Sequence, residues 1–138
     1  MQLQFDIRGM DFARAGQAAA QIKKVLQQAG MPAGTVRRVI IVAYELELNI
    51  VIHACHGTIT AHISPEMVKI VARDRGPGIP DIPLAMQEGY STAPPHIREM
   101  GFGAGMGLPN IKKNADHLEI ESEVNQGTVV MAMVLNKV

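Results

Sequence analysis

Glu45, Asn49 and His53 recur every fourth residue, so on a helix they form a single polar line. The stretch that carries them is otherwise apolar all round, with Val39, Ile40, Ile41, Val42 and Ala43 just before Glu45. Burying a carboxylate and an amide in such surroundings costs several kcal/mol each unless they find partners. A hydrated Mg²⁺ and a chain of phosphates would be such partners, since Mg²⁺ takes one or two protein oxygens and completes its shell from water and phosphate. A solvated edge of a surface helix would leave the same pattern. Glu47 falls on the opposite side of the helix and does not belong to the line.

Two further clusters lie downstream. Asp74 ends an alternating run and is followed by Gly76 and Gly78 within Arg75-Gly76-Pro77-Gly78-Ile79-Pro80. It shares the parity of Val68, Ile70 and Ala72. If those face a core, its carboxylate stands at a strand end inside a cleft, an acceptor for an amine such as the exocyclic group of adenine. The glycines let backbone pass close to a flat ring; a plain Gly-Pro turn is the simpler alternative. Farther on, Gly101, Gly103, Gly105 and Gly107 alternate with Phe102, Ala104 and Met106. Leu108 and Pro109 then open a helix. Glycine-rich amides ahead of a helix N-terminus hold phosphates. The run is neither a Walker loop, which needs Gly-Lys-Ser/Thr, nor a dinucleotide fingerprint, whose glycine spacing differs. Thr128 starts the last strand, with its hydroxyl available to adenine or to Asp74. His53, Cys55 and His56 do not have the spacing of a zinc knuckle.

The elements that must position these groups follow from periodicity. Leu3, Phe5 and Ile7 alternate with polar residues and predict a strand. Asp11 can cap a helix whose buried face is Phe12, Ala15, Ala19, Ile22, Leu26 and Ala29. Gly30 and Pro32 end it, and a central helix runs from Ala33 to about His56. Two alternating runs around a turn at Pro65-Glu66 make a hairpin, residues 76 to 107 form a long lid with a short helical piece near Ile82–Gln87, and a helix spans Leu108 to about Ala115. Strands at Leu118–Val124 and Thr128–Leu135 close the chain. Segregated strands and helices imply an α+β two-layer sandwich of one mostly antiparallel, mixed sheet with helices on one face, a single domain over 1–138.

Composition narrows the partners. Thirteen basic residues balance 13 acidic ones, so there is no basic surplus for nucleic acid. A single cysteine, Cys55, rules out an intrachain disulfide and suits a reducing compartment. Neither a signal-peptide pattern nor a run of about 20 apolar residues is present, so a cytoplasmic location and no membrane contact are expected. The last strand is apolar on both parities, with Val129, Met131, Met133 and Leu135 on one and Val130, Ala132 and Val134 on the other. One side packs on helices; the other is a candidate surface for a partner or a homodimer.

Together these clusters resemble the motifs of the GHKL, or Bergerat-fold, ATPases and kinases. Glu45-x-x-x-Asn49-x-x-x-His53-Ala54 is similar to the N-box, Asp74-x-Gly76-x-Gly78 to the G1 box, Gly103-x-Gly105-x-Gly107-Leu108 to the G2 box, and Gly127-Thr128 to the final Gly-Thr. All four stand in the family's order. Within the family the chain resembles the bacterial anti-sigma-factor serine/threonine kinases. Asp74 to Ile82, Gly89-Tyr90-Ser91-Thr92 and Glu121-Ser122-Glu123-Val124-Asn125 carry that likeness. The resemblance implies ATP and Mg²⁺ as cofactors, Asn49 as the metal ligand, and Glu45 as the catalytic base or water-positioning carboxylate. It implies Asp74 at adenine N6, with Gly76, Gly78, Gly101, Gly103, Gly105, Met106, Gly107, Leu108 and Thr128 lining the nucleotide and His53 and Arg98 approaching the phosphates. The implied substrate is a Ser or Thr of a small anti-anti-sigma (STAS-type) protein, with a sigma factor as a second partner. An ATP-gated sequestering module and a detached histidine-kinase module are the competing readings.

Overall fold

The computed structural model describes residues 1–79, 81–87 and 107–136. Five strands form one sheet: β1 (Gln2–Arg8), β2 (His56–Ile63), β3 (Met67–Arg75), β4 (His117–Glu123) and β5 (Gly127–Leu135), in the order β1-β2-β3-β5-β4. All four pairings are antiparallel, so among the described residues the sheet is not mixed. The helices are α1 (Gln17–Gln28), α2 (Ala33–His53), α3 (Ile82–Ala85) and α4 (Gly107–Asn114). One parity of each central strand is buried: Ile59 and Ala61 on β2, Val68, Ile70 and Ala72 on β3, Val130, Ala132 and Val134 on β5. This is the one-sided burial expected of an antiparallel sheet in an α+β layer.

Helix α2 is the central strut. Its 21 residues span about 31 Å, and it touches β1, β2, β3 and β5 as well as α1 and α4. Val39, Val42, Ala43, Leu46, Ile50 and Val51 on it are almost fully buried, which explains an apolar composition that wraps around the helix. It stops at His53, three residues before the expected end. The chain beyond is drawn into the sheet ends, where Cys55 N–H donates to the Arg75 carbonyl at 3.1 Å and Gly9 N–H to the Cys55 carbonyl at 2.9 Å.

The N-terminal helix differs more from expectation. Phe12–Arg14 form only a 3-10 turn, Asp11 makes no side-chain cap bond, and Gly16 breaks the path at φ +97° before α1 starts at Gln17. The cap of α1 comes instead from across the core. Glu47 of α2, 1% exposed, accepts from the Ala18 amide at 3.2 Å and the Ala19 amide at 3.1 Å. An acceptor supplied by tertiary packing thus replaces the local one, because orphan first-turn amides need a partner and not a particular sequence neighbour.

Arg38 joins α2 to the C-terminal elements. Its guanidinium donates to the Asn114 carbonyl at 3.2 Å and to Asp116 Oδ2 at 2.7 Å, and that same carboxylate oxygen accepts from the Leu135 amide at 2.7 Å. The end of α4 is thereby tied to α2 and to the β4–β5 hairpin.

Candidate functional site

The polar line of α2 lies against the N-terminus of α4. A Cβ placed on Gly107 would come within 3.1 Å of Asn49 Oδ1 and 3.3 Å of Glu45 Oε2. A side chain at this position would have to push the two oxygens, one helical turn apart, back by a few tenths of an ångström. Asn110, one turn into α4, donates from Nδ2 to Glu45 Oε1 at 3.4 Å. Burial pushes the Glu45 carboxyl above its ordinary value, and the Asn110 bond offsets part of that. Glu45, Asn49 and His53 are each half-buried, neither solvated as on a surface helix nor sealed in the core. His53 stands one turn beyond Asn49, and burial lowers its pKa, which favours a neutral ring.

Asp74 occupies the end of β3 on the helix-facing side. Its partners in register are Gly57 on β2 and Thr128 on β5. A Cβ on Gly57 would meet Ile50 Cδ1 at 3.0 Å and Asp74 Cβ at 3.1 Å, so the strand end abuts α2. Asp74 Oδ1 accepts from the Thr128 backbone amide at 3.2 Å. Burial raises the Asp74 pKa, with the Thr128 amide pulling the other way. This corrects one expectation: the Thr128 hydroxyl does not reach Asp74. It is engaged with Ser122 Oγ at 2.9 Å, and the residue is 6% exposed.

The glycine segment after Asp74 is stitched to the β4–β5 turn. Ile79 N–H donates to Ser122 Oγ at 2.7 Å, and Asn125 N–H donates to the Pro77 carbonyl at 2.8 Å. Gly78, at φ +76°, packs on the Glu123 carbonyl, and Gly127, at φ +139°, packs on the Asp74 carbonyl. Neither approach leaves space for a Cβ, and both angles favour glycine. Gly76 sits against Ala54 and the His53 carbonyl, within 3.1 Å of where a Cβ would stand. The α2 line, the strand end and the α4 N-terminus therefore border one another on the helical side of the sheet. Leu108, in the first turn of α4, is buried. Arg98, Gly101, Gly103, Gly105 and Met106 lie outside the described residues.

Chemically, this is a pair of oxygens facing a helix N-terminus, with a carboxylate acceptor set apart at a strand end. The first suits a cation and phosphates, because the helix dipole and free amides favour anions there. The second suits an amine. Two contributors were not singled out from the sequence. Asn110 sits at i+3 from Gly107, in the first turn of a short helix, where a polar residue is unremarkable. Ser122 lies inside an alternating strand, and only the register with Thr128 shows its function.

Residues 10–133 match the model of the histidine kinase-like ATPase domain. The chain belongs to that family. Among its relatives, the serine/threonine-protein kinase RsbT of Bacillus subtilis is 33% identical over 121 residues, covering 84% of this chain and 85% of RsbT. The anti-sigma F factor of Geobacillus kaustophilus is 32% identical over 140 residues, covering 94% and 88%. This histidine kinase-like ATPase domain thus stands with the anti-sigma serine/threonine kinases of the GHKL superfamily. The fold agrees: a chain in the SiaB–SiaC complex from Pseudomonas aeruginosa superposes with a TM-score of 0.60 at 12% identity, covering 96% of this chain and 89% of its own. Among the described residues, no helix is long and apolar enough to cross a membrane.

Proposed function

We propose that this domain binds Mg-ATP between α2 and the N-terminus of α4, and that it transfers the γ-phosphate to a Ser or Thr of a small STAS-type anti-anti-sigma protein in the cytoplasm. The observation that carries this reading is the placement of Glu45 Oε2 and Asn49 Oδ1 together against Gly107. Asn49 is the protein oxygen for the metal, which when bound neutralises charge on the phosphates. The α4 amides, with the glycine run ahead of them, hold phosphate oxygens. His53 and Arg98 assist at the phosphates. Asp74 accepts from the adenine amine, and Gly76, Gly78 and the Ser122-braced Thr128 shape the base pocket around it.

Glu45 orients the incoming hydroxyl and receives its proton. A carboxyl whose pKa is raised by burial is a stronger base than an ordinary glutamate, which suits that role. Among the described residues its side-chain partner is Asn110, which bonds Oε1 at 3.4 Å; the other oxygen is the one that takes the substrate hydroxyl. In phosphoryl transfer the protein contributes chiefly position and electrostatics, and both are what this cleft supplies.

The relatives named as anti-sigma F factors favour a second activity of the same domain, nucleotide-gated retention of a sigma factor. One experiment separates the readings: labelled ATP with purified STAS-domain proteins, followed by acid treatment of the product. Acid-stable label on the partner is expected. Acid-labile label would assign a histidine-kinase module, and nucleotide-dependent co-purification of a sigma factor without label would assign sequestration alone.

A further inference from the structure

The two carboxylate oxygens of Glu45 meet α4 at different points. Oε1 accepts from Asn110 Nδ2 at 3.4 Å, while Oε2 lies 3.3 Å from where a Cβ on Gly107 would stand. Gly107 and Asn110 are about one turn apart on α4. Opposite them α2 runs the other way: Arg38 bonds the Asn114 carbonyl, Glu45 bonds Asn110, and Asn49 lies against Gly107. A helix of eight residues has little stability of its own, so its place is set by what it is tied to. Leu108 and Ile111 bury it in the core. Arg38 holds its last turn, and Asn114 Nδ2 donates back to the Asn110 carbonyl at 2.8 Å. Asn110 is therefore a donor on a fixed platform. The carboxylate it meets is not fixed by its own chain, because the terminal torsion of a glutamate is broad and roughly two-fold. A carboxylate only accepts, so its neighbour must offer an N–H or O–H, and asparagine does this without adding charge.

We infer that Asn110 is a positioning residue for phosphoryl transfer: it captures Glu45 Oε1 and so turns Oε2 toward the α4 N-terminus, where the incoming hydroxyl meets the phosphates. The role rests on the Mg-ATP reading above and extends it. One short helix then carries both the phosphate-binding amides and the donor that aims the base, so the helix that seats the phosphates also orients Glu45. Aim matters, since displacing a reacting group by about 1 Å can cost about 10²-fold in rate. The bond is long at 3.4 Å, and bonds to catalytic groups commonly tighten in the Michaelis complex. Asn110 acts on the reaction only through Glu45, and that dependence separates positioning from a general part in folding.

The test is a double-mutant cycle on transfer from labelled ATP to a purified STAS-domain protein. Calorimetry of Mg-ATP binding and circular dichroism melting accompany each variant. Asn110→Leu keeps the bulk and loses the donor; Asn110→Asp keeps the shape and puts an acceptor in its place. Both should lower kcat about tenfold or more, what a hydrogen bond to a charged group is worth, and Asp the more strongly, because two carboxylates then face each other. The KM for ATP and the calorimetric affinity should stay within about twofold of wild type, the signature of an interaction that serves the transition state. In a Glu45→Ala background the same substitutions should cost nothing further. A readout without nucleotide is the carboxyl ¹³C resonance of Glu45, identified by its disappearance in Glu45→Ala; it should move in Asn110→Leu. Folded Asn110 variants with wild-type kcat would overturn the inference. So would losses as large in the Glu45→Ala background as outside it, or an unmoved Glu45 resonance. A wild-type chain that neither binds Mg-ATP nor labels a STAS-domain protein would overturn the underlying reading, and the positioning role with it, even where the nucleotide-free resonance shows the Asn110 contact intact.

Discussion

Two glutamates stand two residues apart on α2 and live in opposite circumstances. Glu47 is sealed in the core, and each of its oxygens takes a backbone amide of α1 at 3.1–3.2 Å. Glu45 is half-buried at the cleft, and among the described residues its side-chain partner is the Asn110 amide at 3.4 Å. The donors to Glu47 are fixed by a helix backbone, so its carboxylate is finished as a structural part. Glu45 keeps desolvation without full compensation, and its pKa rises accordingly. Incomplete satisfaction, and not burial as such, distinguishes the group available for chemistry from the group that holds helices together.

Substitutions at the two glutamates should therefore fail in different assays. Glu45→Ala is expected to keep nucleotide affinity while lowering phosphoryl transfer by about 10²–10⁴-fold, the usual range for a lost general base; wild-type transfer rates in a single-turnover assay would contradict its assignment. Glu47→Ala should leave the cleft chemistry in place but reduce stability by about 3 kcal/mol, since two amides lose their acceptor in a closed core. Denaturant titration measures this, and a loss below about 0.5 kcal/mol would mean that α1 finds another cap. Asp74→Asn presents an amide where adenine needs an acceptor and should weaken ATP about 10- to 100-fold, the worth of a hydrogen bond to a charged group. Unchanged affinity by calorimetry would remove the adenine contact.

The smallest effect concerns pH. The folded-state pKa of His53 lies below its ordinary 6.5, so the unfolded chain takes up the proton first. Its contribution is fully present above 6.5 and is lost as pH falls through the lowered value. Glu45 and Asp74 act in the opposite sense: their folded values are raised above 4.5 and 3.8, so the cost of burying their charges is relieved as the protein is acidified through those values. His53→Gln should flatten the loss of stability just below neutrality, read from denaturation midpoints across a pH series. A decline as steep as wild type would point to other titrating groups.

The element order was legible because alternation and helical spacing are strong in this chain: β2, β3 and β5 each bury one parity, and Glu45, Asn49 and Asp74 stood out as polar groups at apolar positions. The N-terminal helix was misplaced at its start because Asp11 has the composition of a cap, while the acceptor that α1 uses lies almost 30 residues away. The link between Ser122 and Thr128 was equally hidden, since their adjacency depends on strand register.

By itself the sequence determined the succession of strands and helices and the residue types that a nucleotide would need, because both are written in local periodicity and in glycine and carboxylate spacing. Only the tertiary structure decided that Glu47 is consumed as the cap of α1, what the Glu45 line faces, and which atom of Thr128 holds Asp74. Those choices depend on distances between segments remote in sequence, and hydrogen-bond geometry has no counterpart in one dimension.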